Sequence, residues 1–464
     1  MMKGRIRTAS VLVAAAALVL GACGDDDSDD ASGDTAAAED TTADTEAMEE
    51  ETADTEAPAD TEAMEEETAD TDAPADTDAP ADTEPTIPPR GDADLVFWLD
   101  ETRATALEAV INQFADENGL SVDIVEVAGD QMRNAVNQAI PAGEGPDVFA
   151  GAHDWVGELV ANGVVAPIDL GAATADYNPQ ALEALTVNGQ LYGLPYAVEN
   201  VGLLRNTDLV PEAPATFAEL EETALALQAD GTVTVPLAVQ GAEGAPYHYY
   251  PMYTSFGAEV FPRNDDGTYD TTQLGLDTPE GLAAADAFGG WYDSGLLSQD
   301  VSYDIMIDSF SSGQAPFAIT GPWAIEQIRE NPDLNFVIDP VPPAGDSDAA
   351  PFLGVQAFYV SAFSENEALA QTFLLDFVNT EETMLALFEA QPRAPAYTPA
   401  FEAVADDAIV AGFGAAGENG QPIPNIPEMG AVFTPWSDSY VLISQGTDPA
   451  QAFTDAANQI RAEL

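Results

Sequence analysis

The chain has 464 residues, with 83 Asp and Glu against 11 Lys and Arg, for a formal net charge of −72. So acidic a polymer repels nucleic acid and anionic ligands. Its single cysteine excludes an internal disulfide, and His153 and His248 are isolated from each other and from any thiol, which leaves no zinc or copper spacing.

The chain opens with a basic start (Lys3, Arg5, Arg7), an apolar run from Val11 to Leu20 and the tetrad Leu20-Gly21-Ala22-Cys23. The run is too short to span a bilayer, so residues 1–22 read as a cleaved signal peptide. The tetrad resembles the lipobox of bacterial lipoproteins. That implies a diacylglyceryl group on the Cys23 thiol, firm anchoring to a membrane, and an extracytoplasmic mature protein.

Residues 23–91 follow as an acidic tether of Asp, Glu, Thr, Ala and Pro. The block from Thr45 to Thr55 recurs unchanged from Thr61 to Thr71. Low hydrophobicity and one charge sign predict a disordered, self-repelling spacer, with a root-mean-square span of roughly 45 Å before repulsion lengthens it. The remainder is long enough for two lobes with separate cores. It is also acidic: beyond Gly24 there are eight arginines and no lysine.

Within it, Asp94–Leu99 reads as a buried strand, and Leu107, Val110, Ile111 and Phe114 recur at helical spacing before Gly119. Ser121–Val127 alternates as a strand, Gln131–Ile140 is helical, and Asp147–Ala150 is a short apolar strand after the turn Gly143-Glu144-Gly145-Pro146. This order predicts a parallel sheet with covered faces and ligands at the carboxyl ends of its strands. The turn lacks phosphate-loop spacing. Helices near Thr216–Ala229, Pro279–Ser294, Glu365–Asn379 and Pro449–Leu464 then alternate with strands at Thr232–Ala238 and Phe352–Ser361, which predicts a second α/β lobe.

Five strings now stand in register. They are Gly145-Pro146-Asp147 with Ala152-His153-Asp154; Tyr192-Gly193-Leu194-Pro195-Tyr196-Ala197-Val198-Glu199; Ala245-Pro246-Tyr247; Ile319-Thr320-Gly321-Pro322-Trp323-Ala324; and Pro424-Asn425-Ile426-Pro427-Glu428-Met429. In order and spacing they resemble the maltose-binding proteins, the sugar receptors of ABC importers, over nearly everything from Asp92 to Leu464. The resemblance implies an α/β fold of the periplasmic-binding-protein type, with two lobes, a hinge and a cleft between them. The amino-terminal lobe would take 92–198 plus 357–407, and the carboxyl-terminal lobe 199–356 plus 408–464.

It further implies a monomer without cofactor, metal or catalytic residue. Its partners would be a neutral mono- or oligosaccharide such as maltose or maltodextrin, a membrane permease, and the membrane itself through Cys23. A neutral sugar needs charged groups for its hydroxyl rim and rings for its apolar faces. Asp154, Glu199 and Arg103 fall on the family's hydrogen-bonding positions, and Tyr247, Trp323 and Phe433 on its stacking positions. Trp155 and Trp436, beside matched positions, are candidates for further rings. The sequence departs from the pattern at Gly151, Trp155, Ala245, Thr434 and Ser437, which replace a tryptophan, an arginine, a glutamate, an aromatic residue and an arginine; a related sugar or fewer subsites would follow. Alternatives are a surface glycosidase using Asp154 and Glu199 as a carboxylate pair, a structural or adhesive lipoprotein lacking a closable cleft, or a receptor for another neutral polyol.

Overall fold

The computed structural model describes residues 5–8, 90–241, 245–264 and 268–464. Cys23, the apolar run of the leader and nearly all of the acidic tether lie outside these residues. Local chemistry sets the elements as the sequence suggests. Asp100 caps the helix Glu101–Asn118 by accepting from the Arg103 N–H, and Gly119 ends it at φ 66°, a left-handed conformation that costs a residue without a Cβ little. Thr216 caps Phe217–Ala229, while Thr278 followed by Pro279 opens Pro279–Ser294. Among the described residues no helix is long and apolar enough to cross a membrane.

One sheet runs in the order Arg5–Thr8, Val122–Glu126, Leu95–Leu99, Val148–Ala152, Phe352–Val360, Gly193–Glu199, Ala394–Pro395. Its first four strands are parallel, as the alternation of strands and helices predicts; Phe352–Val360 lies antiparallel to Val148–Ala152 and Gly193–Glu199, and its first two residues also pair in parallel with Gln421–Pro422. Arg5–Thr8 occupies the sheet's edge, so loss of a leader containing it leaves the other pairings intact. A second sheet has the order Phe336–Asp339, Gly202–Asn206, Phe317–Thr320, Ala238–Val239.

Two readings need correction. The strand expected at Thr232–Ala238 is reduced to Ala238–Val239. Upstream, the Thr232 and Val233 N–H groups bond the Leu227 carbonyl, those of Thr234 and Val235 share the Gln314 carbonyl, and Pro236 has no N–H to offer a ladder. The helix expected at Glu365–Asn379 is α-helical only over Glu367–Thr372 and continues as a π-helix over Phe373–Val378.

The apolar interior divides. One core gathers buried residues from Leu95 to Ala197 and from Val355 to Ala400, including Phe97, Phe114, Phe149 and Phe373. The others gather residues from Val201 to Phe352 and from Ile409 to Ile460. The chain therefore passes between cores three times, near 197–201, 352–355 and 400–409.

Candidate functional site

The strand Gly193–Glu199 ends at the first passage, and its last residue is 7% exposed. Both Glu199 carboxylate oxygens are met. Gln356 Nε2 donates to Oε1 at 2.7 Å, and Arg393 forms an ion pair with Oε2. Gln356 reaches this position beside a β-bulge: it opposes Ala197, the next residue Ala357 opposes Pro195, and Tyr196 is left as the extra residue. The Gln356 Oε1 accepts from Arg103 Nη2 at 3.0 Å, and Arg103 also donates to the Tyr196 hydroxyl and pairs with Asp100. Arg393, Glu199, Gln356, Arg103 and Asp100 thus form one polar rail. Burial opposes the charge on the Arg103 guanidinium, but the Tyr196 hydroxyl and the Asp100 carboxylate beside it outweigh that effect and raise its pKa.

The strand Val148–Ala152 runs into a tight turn, His153–Trp155. His153 is wholly buried. Its Nδ1 accepts from the Val355 N–H at 3.0 Å and its Nε2 faces the Ile423 carbonyl at 3.1 Å, which requires a neutral ring with the proton on Nε2. Burial also holds its pKa below the ordinary histidine value. The next residue, Asp154, is 8% exposed, and burial pushes its carboxyl above the usual range, with the negative charge of Glu199 adding to the effect. Among the described residues no other residue's hydrogen bond reaches this carboxylate. Trp155 folds its indole back over Gly151, where any Cβ would collide with the ring.

The second cores contribute rings. The helix Ala245–Thr254 carries Tyr247, whose ring lies 5.9 Å from that of Trp323 and 6.2 Å from Phe352 between centroids. Its hydroxyl is buried without a hydrogen-bond partner among the described residues. Burial and the charges of Glu199 and Asp154 push its pKa well up, so it is a donor awaiting an acceptor. Trp323 lies over Gly321 as Trp155 lies over Gly151. Two half-buried indoles are therefore each laid over a glycine at the carboxyl end of a central strand, one in each sheet.

The structure thus brings Asp154, Glu199, Tyr247 and Trp323 together, with Arg103 joined to them through Gln356. Phe433, at the start of the helix Phe433–Ser444, is half-buried against the carboxyl-terminal core, and no ring contact links it to Tyr247 or Trp323. Trp436 is corrected: it is 0% exposed, wedged 5.0 Å from the Tyr253 ring and stacked near Tyr440, and has no surface to offer a ligand. It turns inward because the helix directs its buried face to the core. Of the departures, Gly151 makes room for Trp155, Thr434 is exposed, and the side chain of Ala245 lies outside the description. Sequence reading missed Gln356, Arg393 and the lock on His153. Tyr196 stood inside a matched string, and Gln356 is a lone polar residue in an apolar strand; Arg393 carried no local signal. Among the described residues no His, Cys, Asp and Glu group is arranged to hold a metal.

Two cavities flank the site. One of about 600 Å³ begins at Gly157 and is walled by Tyr269, Asn425 and Ile426. Another of about 520 Å³ lies against Val198, Asn200, Leu353 and Phe413. Val198 and Asn200 alternate with Glu199, so this second cavity meets the opposite face of the chain there.

Residues 109–412 match the family described as bacterial extracellular solute-binding protein. The chain belongs to that family. This solute-binding protein is 27% identical over 387 residues to the galactooligosaccharide-binding protein of Bacillus subtilis (strain 168), spanning 80% of this chain and 90% of the relative. It is also 27% identical over 389 residues to the maltooligosaccharide ABC transporter solute-binding lipoprotein of Streptococcus pneumoniae (strain ATCC BAA-255 / R6), covering 80% and 89%. Among solved structures, Thermus thermophilus maltotriose binding protein bound with maltotriose superposes with a TM-score of 0.72 at 30% identity, over 80% of this chain and 99% of that one. The two-lobe α/β fold implied by the five strings is therefore the fold of this solute-binding protein, and the relatives it matches are binding proteins.

Proposed function

We propose that this protein is a lipid-anchored extracytoplasmic receptor that captures a neutral oligosaccharide between its lobes and delivers it to the permease of an ABC importer. Maltose and maltodextrins are the first candidates. The observation that carries the reading is Asp154: a buried carboxylate that no other described residue bonds, beside a tyrosine hydroxyl without a partner among the described residues, is what a ring of sugar hydroxyls would satisfy from both sides. Asp154 accepts from the sugar, the Tyr247 hydroxyl donates to it, and Trp155 and Trp323 lie against its apolar faces. Phe433 lines the outer end. Glu199 and Arg103 act as the fixed polar floor.

The lobes are 92–198 with 357–407 and 199–356 with 408–464, and the three passages between cores are the hinge. Contacts made to both lobes only when the cleft is shut would draw it closed. The acidic tether lifts this monomer from the membrane that Cys23 enters. The loss of polar groups at Trp155, Ala245 and Ser437, and of rings at Gly151 and Thr434, supports fewer subsites than the maltose binders have. A glycosidase is disfavoured because both oxygens of Glu199 are already taken, by Gln356 and Arg393, which leaves neither free to serve as the partner of Asp154 in a catalytic carboxylate pair.

The deciding experiment is a calorimetric and thermal-shift screen of the protein against mono-, di- and trisaccharides of glucose and galactose. Saturable binding with a rise of several degrees is expected for one class. No response to any of them, or shortened products after incubation with maltodextrins, would refute the receptor reading.

A further inference from the structure

Glu199 sits where three adjacent strands meet the limits of the amino-terminal core. Its own strand leaves that core at 199–201. On one side Gly354 lies directly opposite it, in the strand that enters at 352–355 and supplies Gln356 two residues later. On the other side the pairing of Ala394 with Val198 and of Pro395 with Ala197 brings Arg393 opposite Glu199, on the segment that leads to the third passage. The two donors to one carboxylate therefore come from the two flanking strands, 157 and 194 residues away in sequence. Gly354 keeps a side chain out of the space between the carboxylate and Tyr247: a Cβ there would lie 3.3 Å from Glu199 Oε1 and 3.4 Å from the Tyr247 hydroxyl, which reaches in from the other core.

We propose that the Glu199 carboxylate is the point at which sugar occupancy and hinge geometry are coupled, with Arg393 and Gln356 as positioning residues that hold it from the neighbouring strands. This rests on the sugar-receptor reading of the cleft. The physical reason is competition for one group. A hydroxyl that bonds the carboxylate shares it with donors whose positions are set by the other two hinge strands, so its binding depends on how those strands lie. Arg393 has a second task, because Asp154 and Glu199 are two buried carboxylates close enough to feel each other. Arg393 supplies the positive charge paired with Glu199. The other groups acting there are Arg103 and Asp100 from the first helix, Tyr196 on the same strand, His153 and Asp154 from the turn, and Tyr247 from the helix above; none of them is a second cation in contact with Glu199.

The test compares the parent with Arg393→Gln, Arg393→Lys and Gln356→Ala, titrating maltotriose from about pH 5 to pH 8 by calorimetry. A double-mutant cycle of Glu199→Gln and Arg393→Gln in urea unfolding needs no sugar. We expect Arg393→Gln to weaken binding about tenfold or more at neutral pH and to recover affinity as pH falls, because a carboxylate left without its counter-charge is relieved by protonation. Arg393→Lys should restore part of the affinity and bring the pH profile back toward that of the parent. Gln356→Ala should lower affinity without a new pH dependence, and the cycle should be non-additive. Parent-like affinity at every pH in Arg393→Gln, with only the melting temperature lowered, would overturn the proposal; if that variant does not fold, unchanged affinity in Gln356→Ala does the same. If the parent itself binds no sugar, the receptor reading fails separately, and an additive cycle would still reject the tie between strands.

Discussion

Asp154 joins stability and binding in opposite directions. Its pKa is raised by burial in the folded state, so its contribution favours folding at low pH and is lost as pH rises through the folded value. At neutral pH, Asp154→Asn should therefore melt higher than the parent, with the gap narrowing as pH falls toward the unfolded value of about 4. The same substitution should weaken sugar binding about tenfold to a hundredfold, the worth of a charged hydrogen bond. A lower melting temperature at pH 7, or unchanged affinity, would count against a carboxylate held ready for ligand. Trp155 supplies a second test. Because its ring lies half-exposed over Gly151, Trp155→Ala should reduce affinity while leaving the thermal midpoint nearly alone. Gly151→Ala, which keeps the indole but forces it off its seat, should reduce affinity too. Were Gly151→Ala to bind like the parent, the position of the ring would not matter.

The turn His153–Trp155 and its neighbours depend on one proton. His153 is held neutral between the Val355 N–H and the Ile423 carbonyl, so its contribution to stability is present above the unfolded pKa of about 6.5 and is lost as pH falls toward the depressed folded value. Replacement by Phe should remove that part of the acid sensitivity while costing about 1–3 kcal/mol at neutral pH, the penalty for leaving a buried N–H and carbonyl unpaired. Urea unfolding of both proteins at pH 7.5 and pH 5.5 checks it, and an equal loss of stability in the two on acidification would reject it. The end of the first helix at Gly119 and the alternating strand Ser121–Val127 were legible in the sequence because each is settled by residues within a turn or two, whereas the Asp100 cap came only with the structure. The true extent of the strand expected at Thr232–Ala238 was not legible, since its N–H groups find carbonyls at Leu227 and Gln314 that no local pattern announces.

Among the described residues from Arg90 onward, cations are scarce and all are committed. Each of the eight arginines beyond Gly24 is engaged, seven in ion pairs and Arg263 with the Tyr269 ring and hydroxyl. The remaining surface carries carboxylates that repel one another, so screening should favour the compact state. Raising sodium chloride from about 20 mM to about 0.5 M should lift the melting temperature by several degrees; a fall would mean that the exposed arginine pairs outweigh that repulsion. Closure is the other property at this scale. X-ray scattering should show a smaller radius of gyration when a bound sugar contacts both lobes, and an unchanged radius at saturation would argue against a hinge.

From sequence alone came the α/β class, the acidic character, the family, and the membership of Asp154, Glu199, Tyr247 and Trp323 in one constellation. Motifs and periodicities are short-range facts, and a family's spacing carries over residue by residue. Only the tertiary structure decided that Trp436 is core, that Trp155 fills the space over Gly151, and that Arg393 and Gln356 meet at Glu199. These follow from strand register and helix rotation, which are set by how whole elements pack and which a linear pattern leaves open.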